Sequence, residues 1–411
     1  MPNPLPFTNV DRRAFLKTAA LSLAGATVSV AAVADAIGEI KPWERGTDKK
    51  IRIGIVGGGF GCSFHWHQHP NCVVEAVSDL IPERRDRLMQ VYGCGKSYES
   101  LEKLVLDPNI DAVAVFTGAP DHPRHTIACF EAGKHVISAC PACLTLKDAD
   151  RLRDVKERTG LKYMTAETTY FRWETMTARR MYAAGMFGDL VYTEAEYYHP
   201  MRPEEREALW YRDGKRTWRY GYAPMLYPTH STAFLVGVTG ERLAKVSCVG
   251  WGDDEAVLKD NAYNNPYFNE TGMFITDSGK PFRCNVGWKL HAHGERAQWF
   301  GTQSALYMGG SGGQPYSMQL PDEHITEVPD YFPMLPESMR KDTGHGSSHP
   351  FITHEFVTAL LEDREPATNL YEALAFCVPG IVAHKSSRKG GEQLNIPSFD
   401  TGRARVPARL S

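Results

Sequence analysis

Short apolar runs alternate with amphipathic stretches through the first half of the chain. Residues 51–56, Ile-Arg-Ile-Gly-Ile-Val, predict a short buried strand, and residues 73–79 predict a second that ends on Asp79. Residues 100–106 predict a helical segment, 111–116 a strand, 125–132 a helix capped by Gly133, and 134–138 another strand. Strand and helix taking turns in this way predict a parallel, doubly wound sheet whose ligands gather at the carboxyl ends of the strands. Residues 117–122 and 139–142 leave such ends.

The pattern changes after residue 165. Residues 174–184 predict a helix closed by Gly185, and residues 190–198, 243–251, 272–276 and 283–288 predict strands joined by short connections. Such runs of strands suit an antiparallel sheet. Residues 349–361 and 371–387 return to helical spacing. The expected fold class is therefore α/β. A doubly wound parallel sheet over residues 50–165 precedes an α+β domain over 166–390 with a largely antiparallel open sheet. A tail follows over 391–411.

The first forty residues do not read as fold. Asp11-Arg12-Arg13-Ala14-Phe15-Leu16-Lys17 precedes an uncharged stretch, 18–34, broken by Ser22, Gly25, Thr27 and Ser29. A spanning helix wants about 20 strongly apolar residues, and this stretch falls short. Ala32-Val33-Ala34 and Ala34-Asp35-Ala36 are small-residue cleavage patterns. The arrangement predicts a leader over residues 1–40 for the twin-arginine export machinery, with a periplasmic or extracellular mature protein and no stable membrane span. That route carries folded proteins, so a cofactor made in the cytoplasm can travel with its chain.

With 411 residues there is ample chain for about two or three domains. Lys and Arg number 46 against 49 Asp and Glu, a net charge of −3, so no strong field draws the chain to nucleic acid or an anionic membrane. Nine scattered cysteines, an odd number, argue against a disulfide framework.

The first strand runs into Gly57-Gly58-Gly59-Phe60-Gly61-Cys62. In a Rossmann unit the first glycine makes the tight turn, and the second lets backbone approach a pyrophosphate resting on the next helix. The third fits helix against strand. Gly57 and Gly59 hold the first two places, and the small Cys62 holds the third. Asp79 lies about 20 residues on, where a carboxylate accepts from a ribose 2′-hydroxyl and repels a 2′-phosphate. NAD is thus favoured over NADP, although Arg84 and Arg85 weaken the preference.

Three segments carry a resemblance to the glucose–fructose oxidoreductase / inositol dehydrogenase / MocA (Gfo/Idh/MocA) family. They are residues 57–62 with His65, residues 117–125, and Glu131-Ala132-Gly133-Lys134-His135-Val136. The resemblance implies an N-terminal Rossmann domain and a nicotinamide cofactor. It also implies a sugar or cyclitol substrate and a homo-oligomer built on the open sheet. Carried over by position, it places Gly57, Gly59, Phe60, Gly61, Asp79, Thr117, Pro120, His122, Cys140 and Pro141 against the cofactor. Two places depart from the family pattern. Where its dehydrogenases carry Glu-Lys-Pro, this chain has Ala139-Cys140-Pro141, so the lysine beside the nicotinamide is absent. The acid one turn before the substrate-domain histidine is replaced by Leu226, leaving His230.

Cys140 and Cys143 form Cys-Pro-Ala-Cys. This falls on the cofactor loop rather than at the start of a thioredoxin-like helix, and no second pair completes a zinc site. A bridge between the two after export stays open. His65, His67 and His69 cluster after the glycine loop. On a helix only 65 and 69 share a face, so structural or cofactor-lining roles rank ahead of a metal, and no metal site is expected.

Residues 218–230, Trp-Arg-Tyr-Gly-Tyr-Ala-Pro-Met-Leu-Tyr-Pro-Thr-His, form the densest cluster of aromatic and polar groups. Pro228 limits any helix before it, so His230 falls in a first turn and Tyr227 can converge on it. Aromatic faces with a few polar atoms suit a sugar ring. His230 and Tyr227 are the candidate catalytic residues, and Trp218 and Tyr222 the candidate substrate contacts. Glu167 and Tyr170 either line the cleft or cap and pack the helix that follows. Tyr227-Pro228-Thr229-His230 and Pro141-Ala142 are similar to segments of the NAD-dependent glycosidases of glycoside hydrolase family 109. Residues 344–349, with His345, are similar to their His-Gly-Gly segment, serine standing for the second glycine.

Three functions compete. The chain cleaves a glycoside with NAD retained, borrowing a hydride and returning it. Alternatively it is a net sugar or cyclitol dehydrogenase, or an oxidoreductase between two sugars. Or it is a sugar- or nucleotide-binding module without turnover. Scarce NAD outside the cytoplasm and the missing lysine favour the first.

Overall fold

The computed structural model describes residues 38–200, 203–310 and 313–400. The paired arginines and both cleavage patterns of the expected leader lie outside these residues. Six strands form one parallel sheet: Ile51–Val56 (β1), Cys72–Ser78 (β2), Ser97–Tyr98 (β3), Ala112–Val115 (β4), His135–Ser138 (β5) and Tyr163–Thr165 (β6). Their order is β3-β2-β1-β4-β5-β6, the doubly wound arrangement that the alternation predicts. Every residue of β4 is buried, as expected of a strand covered on both faces.

The second sheet collects Leu190–Tyr198 (β7) and, after a small hairpin of Tyr211–Arg212 (β8) and Lys215–Arg216 (β9), eight later strands. These are Leu243–Trp251 (β10), Asn269–Thr276 (β11), Pro281–Gly287 (β12), Gly294–Gly301 (β13), Ala305–Tyr307 (β14), Ser317–Gln319 (β15), His324–Ile325 (β16) and Leu394–Asn395 (β17). The order is β16-β15-β14-β13-β7-β12-β11-β10-β17, antiparallel throughout except for the β7–β12 pair. Leu394 and Asn395, expected in a tail, pair with β10. Val191, Val249, Trp251 and Met273 stand exposed on this sheet. No helix among the described residues is long and apolar enough to cross a membrane.

Two cores fix the domains against each other. Val113, Val115, Val136 and Tyr163 on one face of the parallel sheet pack with Leu104, Phe130 and Leu152. They also meet Leu374 and Val378 of the C-terminal helix Leu370–Ser387. On the other face, Ile53, Ile55, Ala114, Ile137 and Met164 join a core that runs on to Phe356, Phe376 and Trp299. Asn369 starts the C-terminal helix by accepting from the backbone N–H groups of Tyr371 and Glu372.

One expectation fails beside the glycine turn. No α-helix follows it; Phe60–Ser63 and Trp66–Gln68 are single 3-10 turns separated by His65 at φ 56°. Phe64 and Trp66 are both wholly buried, Phe64 stacked at 4.4 Å on Phe116 and Trp66 edge-on to Phe356 at 6.2 Å. Two residues apart on a helix would face opposite ways, so burying both rings breaks it. The three histidines consequently scatter. His69 pairs with His354 at 3.1 Å, and His67 lies against the Tyr92 ring.

Candidate active site

The glycine turn is built for close backbone approach. Gly57 has φ +103°, and a methyl group there would fall 2.2 Å from the Phe116 carbonyl oxygen. The Gly58 N–H donates to Asp79 Oδ2 at 2.7 Å and the Ile81 N–H to Oδ1 at 2.8 Å, so Asp79 locks the turn while each oxygen keeps a lone pair. The Cys62 thiol donates to the Gly58 carbonyl at 3.2 Å. Gly59 is exposed. A methyl on it would meet nothing nearer than Arg84 Nη1, at 4.0 Å. Arg84 is half-buried and has no carboxylate partner among the described residues.

These residues fit a dinucleotide, with one change from the usual scheme. An open glycine face and the strand-end Asp79 are in place, but a 3-10 turn of four residues supplies no helix terminus for a pyrophosphate. Arg84 stands where that positive charge is needed. Gly59, Asp79 and Arg84 are the groups that would hold the adenosine and pyrophosphate end.

Beyond the turn, the carboxyl ends of β4 and β5 open into a cleft of about 240 Å³. Phe60, Thr117, His122 and Cys140 of the expected cofactor residues line it. Gly57, Gly61 and Pro141 are buried and do not line it, and Pro120 is exposed on a 3-10 turn. His122 ties the two loops together, with Nδ1 2.8 Å from the Pro141 carbonyl and Nε2 3.1 Å from that of Thr117. The Cys140–Pro141 peptide is cis.

The far wall comes from the second domain. Pro228 caps the helix Thr229–Thr239, which places His230 in its first turn. The Tyr227 ring lies 5.0 Å from that of His230. Trp288 Nε1 donates to the Tyr222 carbonyl at 2.9 Å and the Tyr222 hydroxyl to the Leu226 carbonyl at 2.7 Å. Behind them the Met225 N–H donates to Glu270, which also accepts from Ser387 and pairs with His384 of the C-terminal helix.

His230 and Cys140 meet across the domain boundary. His230 Nδ1 lies 2.7 Å from Glu167 Oε1, and Nε2 lies 3.7 Å from Cys140 Sγ. With Nδ1 committed to the carboxylate, Nε2 faces the cleft. Burial works against charge on His230, but Glu167 more than offsets it, with help from Cys140 and Tyr227, and holds the imidazole well above its ordinary value. Burial likewise opposes charge on Glu167, and His230 outweighs it, so the carboxyl stays below its ordinary value. Burial pushes the Cys140 thiol up, as does Glu167, and it pushes the Tyr227 phenol up further. At neutral pH the thiol and phenol are both protonated. Cys143 points away from Cys140, its sulfur 3.7 Å from that of Cys377, and all nine cysteines are free.

Of the expected substrate contacts, Trp218, Tyr222 and His345 line the cleft. Glu167 is wholly buried behind His230. Tyr170 is a correction. It is 2% exposed, with the Arg179 guanidinium 3.7 Å from its ring and Gly237 against its edge, so aromatic packing holds it in the core.

The structure adds residues that the local pattern missed. Glu295 on β13 accepts from Thr169 Oγ1 at 2.6 Å and is forked by Arg172 at 2.9 and 2.8 Å. Burial opposes its charge, yet Arg172 and His230 hold it down to about 2. Tyr197 on β7 lies 4.7 Å from the His230 ring. Period-two alternation with the buried Thr193 and Ala195 was the available signal for it. His199, Arg219 and Trp288 complete the wall.

Residues 51–167 match the Gfo/Idh/MocA family, described as an oxidoreductase family with an NAD-binding Rossmann fold. Over 446 aligned positions the chain is 23% identical to a glycosyl hydrolase family 109 protein of Streptomyces coelicolor, covering 96% of this chain and 94% of that one. It is 22% identical to an alpha-N-acetylgalactosaminidase of Tannerella forsythia, covering 95% and 97%. Among solved structures, levoglucosan dehydrogenase in complex with NADH and levoglucosan superposes with a TM-score of 0.71 at 15% identity, over 85% of this chain and 100% of that one.

Proposed function

We propose, for a chain that belongs through its NAD-binding domain to the Gfo/Idh/MocA oxidoreductases, that it cleaves a glycoside while NAD stays bound throughout. NAD, held at Gly59, Asp79 and Arg84, would supply a hydride acceptor that later gives the hydride back; the ketone made from the ring hydroxyl would acidify the neighbouring C–H, whose proton and the glycosidic oxygen would be lost together by elimination, the oxygen leaving protonated as the alcohol, before water adds and the ketone is reduced. The observation that carries the reading is the Glu167–His230 pair facing Cys140. Where the family resemblance puts a lysine, a neutral thiol stands, and the base at that spot is an imidazole backed by a buried carboxylate.

His230 Nε2 takes the proton of the ring hydroxyl, and Glu167 stabilises the imidazolium that results. Tyr227 keeps its proton and donates to the substrate oxygen beside it. Trp218 and Tyr222 offer ring faces to the sugar. Similarity along the full chain to glycosidases supports cleavage over net oxidation.

Mass analysis of small molecules released from heat-denatured native protein tests retention, with NAD or NADH expected. Turnover of a glycoside panel in deuterated water tests the chemistry. Deuterium is expected on the carbon next to the oxidised one, with no free NADH. NADH accumulating in step with product overturns the reading and makes the protein a net dehydrogenase.

The expected leader belongs to the same reading. An enzyme that returns its hydride needs no oxidant outside the cytoplasm, so the folded, NAD-loaded chain is proposed to leave by the twin-arginine route. Cell fractionation checks this: export is expected for the natural chain and lost when Arg12 and Arg13 are both changed to Lys.

A further inference from the structure

We infer that the cleft takes a glycoside bearing an anionic group, a carboxylate or a sulfate, and that Arg219 is the seat of that group. The inference rests on the sugar-cleaving reading above and adds the charge of the substrate to it.

Arg219 lines the same cleft as His230 and Tyr227. Its guanidinium lies 4.3 Å from the centre of the Trp218 ring, so the side chain is held at the wall before any ligand arrives. It has no carboxylate partner among the described residues. Around it, Arg172 is paired with Glu295, Arg206 with Glu255, Arg216 with Asp260, Lys289 with Asp253 and Arg296 with Glu196. Among the described residues that line the cleft, Arg219 is the one Lys or Arg.

The rest of the wall points the same way. A neutral sugar offers hydroxyls, and carboxylates and amides are the groups that accept from them. No Asp, Glu, Asn or Gln lines the cleft among the described residues. The polar groups left for a ligand are the hydroxyls of Thr117, Tyr197 and Tyr227, the imidazoles of His199, His230 and His345, and the guanidinium, since the Tyr222 hydroxyl and both His122 nitrogens are committed to backbone carbonyls. No carboxylate among them would repel an anion, and the guanidinium fork matches the paired oxygens of a carboxylate or sulfate. Aromatic faces for a ring, with one fixed cation at their edge, describe an acidic sugar better than a neutral one.

The test uses the NAD-loaded protein and matched methyl glycosides, both anomers of the gluco and galacto series, each as the neutral sugar, the uronate and the 6-sulfate. Binding is read by titration calorimetry. At least one anionic member is expected to bind roughly tenfold or more tightly than its neutral partner, the size of a charge-assisted hydrogen bond. Whichever of uronate and sulfate binds more tightly names the group. The preference is expected to shrink with added salt and to fall to near unity in Arg219→Gln, with NAD content unchanged. Neutral glycosides that bind as tightly as their anionic partners overturn the inference and leave the glycosidase reading standing. Binding by none of the sugars overturns both. If Arg219→Gln loses NAD while keeping its sugar preference, the anion met by Arg219 is a cofactor phosphate and the inference falls.

Discussion

A methyl group on Gly380 would sit 2.1 Å from the carbonyl oxygen of Met225 and 2.4 Å from Pro228 Cγ. The C-terminal helix and the loop that carries Tyr227 therefore touch backbone to backbone. Gly380 lies inside the helix Leu370–Ser387, where glycine is ordinarily worse than alanine by up to about 1 kcal/mol. Here the sign reverses. Gly380→Ala is expected to cost about 1–3 kcal/mol by overpacking and to push Tyr227 and His230 off station. Urea midpoints and turnover should both fall while NAD stays bound. A variant as stable and active as the parent would show that the helix yields freely.

The Glu167–His230 pair fixes the sign of a pH effect. His230 has its proton affinity raised in the folded protein, so the neutral base that accepts a hydroxyl proton appears only above its ordinary value. Turnover should rise with pH along a limb centred above about 6.5. Glu167→Gln removes the largest influence that opposes burial, so the limb should move to lower pH by roughly one to three units while the maximal rate falls. The pair's contribution to stability is complete only between the unfolded values of glutamate and histidine, about pH 4.3 to about pH 6.5; it is lost as pH rises through His230's higher folded value and as pH falls through Glu167's lowered one. A pH–rate profile that does not move in the variant would detach Glu167 from His230.

Arg84 beside Gly59 predicts a cofactor effect readable without turnover. A guanidinium taking the place of the missing helix terminus should bind the pyrophosphate, which NAD and ADP-ribose share. Arg84→Gln should weaken both roughly tenfold by calorimetry, and adenosine little. Weakening confined to NADP would instead put Arg84 on a 2′-phosphate.

Local pattern carried a good part of this architecture, for identifiable reasons. The strands of the parallel sheet are apolar runs between turn residues, and β4 lies where residues 111–116 predict it. Gly57 and Asp79 were legible because their spacing in sequence matches a turn that closes on itself. Pro228 placed His230 in a first turn. The 3-10 turns after Gly59 were not legible, because aromatic packing against Phe116 and Phe356 overrides local spacing. Nor was the Glu295 layer. β13 pairs with β7 so that Glu295 stands opposite Tyr197, a register set by two strands far apart in sequence. Tyr170 stayed open between cleft and packing for the same reason, since its partners Arg179 and Phe376 lie on other elements.

That layer carries the last prediction. Glu295 is buried beneath Thr169 and His230, and the fork from Arg172 keeps it ionised. Arg172→Ala would leave a buried carboxylate with Thr169 as its remaining hydrogen-bond donor. A loss of about 3–5 kcal/mol is expected at neutral pH. Its pH dependence separates this cause from lost packing. The parent's folded carboxyl sits at about 2, so the stability it contributes is present above the unfolded value and is lost as pH falls toward about 2. In Arg172→Ala only His230 and Thr169 still oppose burial, so the carboxyl rises above the parent's value and a fall in pH costs the variant less stability than it costs the parent. The gap between their urea midpoints should therefore narrow on going from pH about 7 to pH about 4, near the unfolded value of a glutamate. A gap that keeps its size across that range would mean that Arg172 supports the site by its bulk and not by its charge.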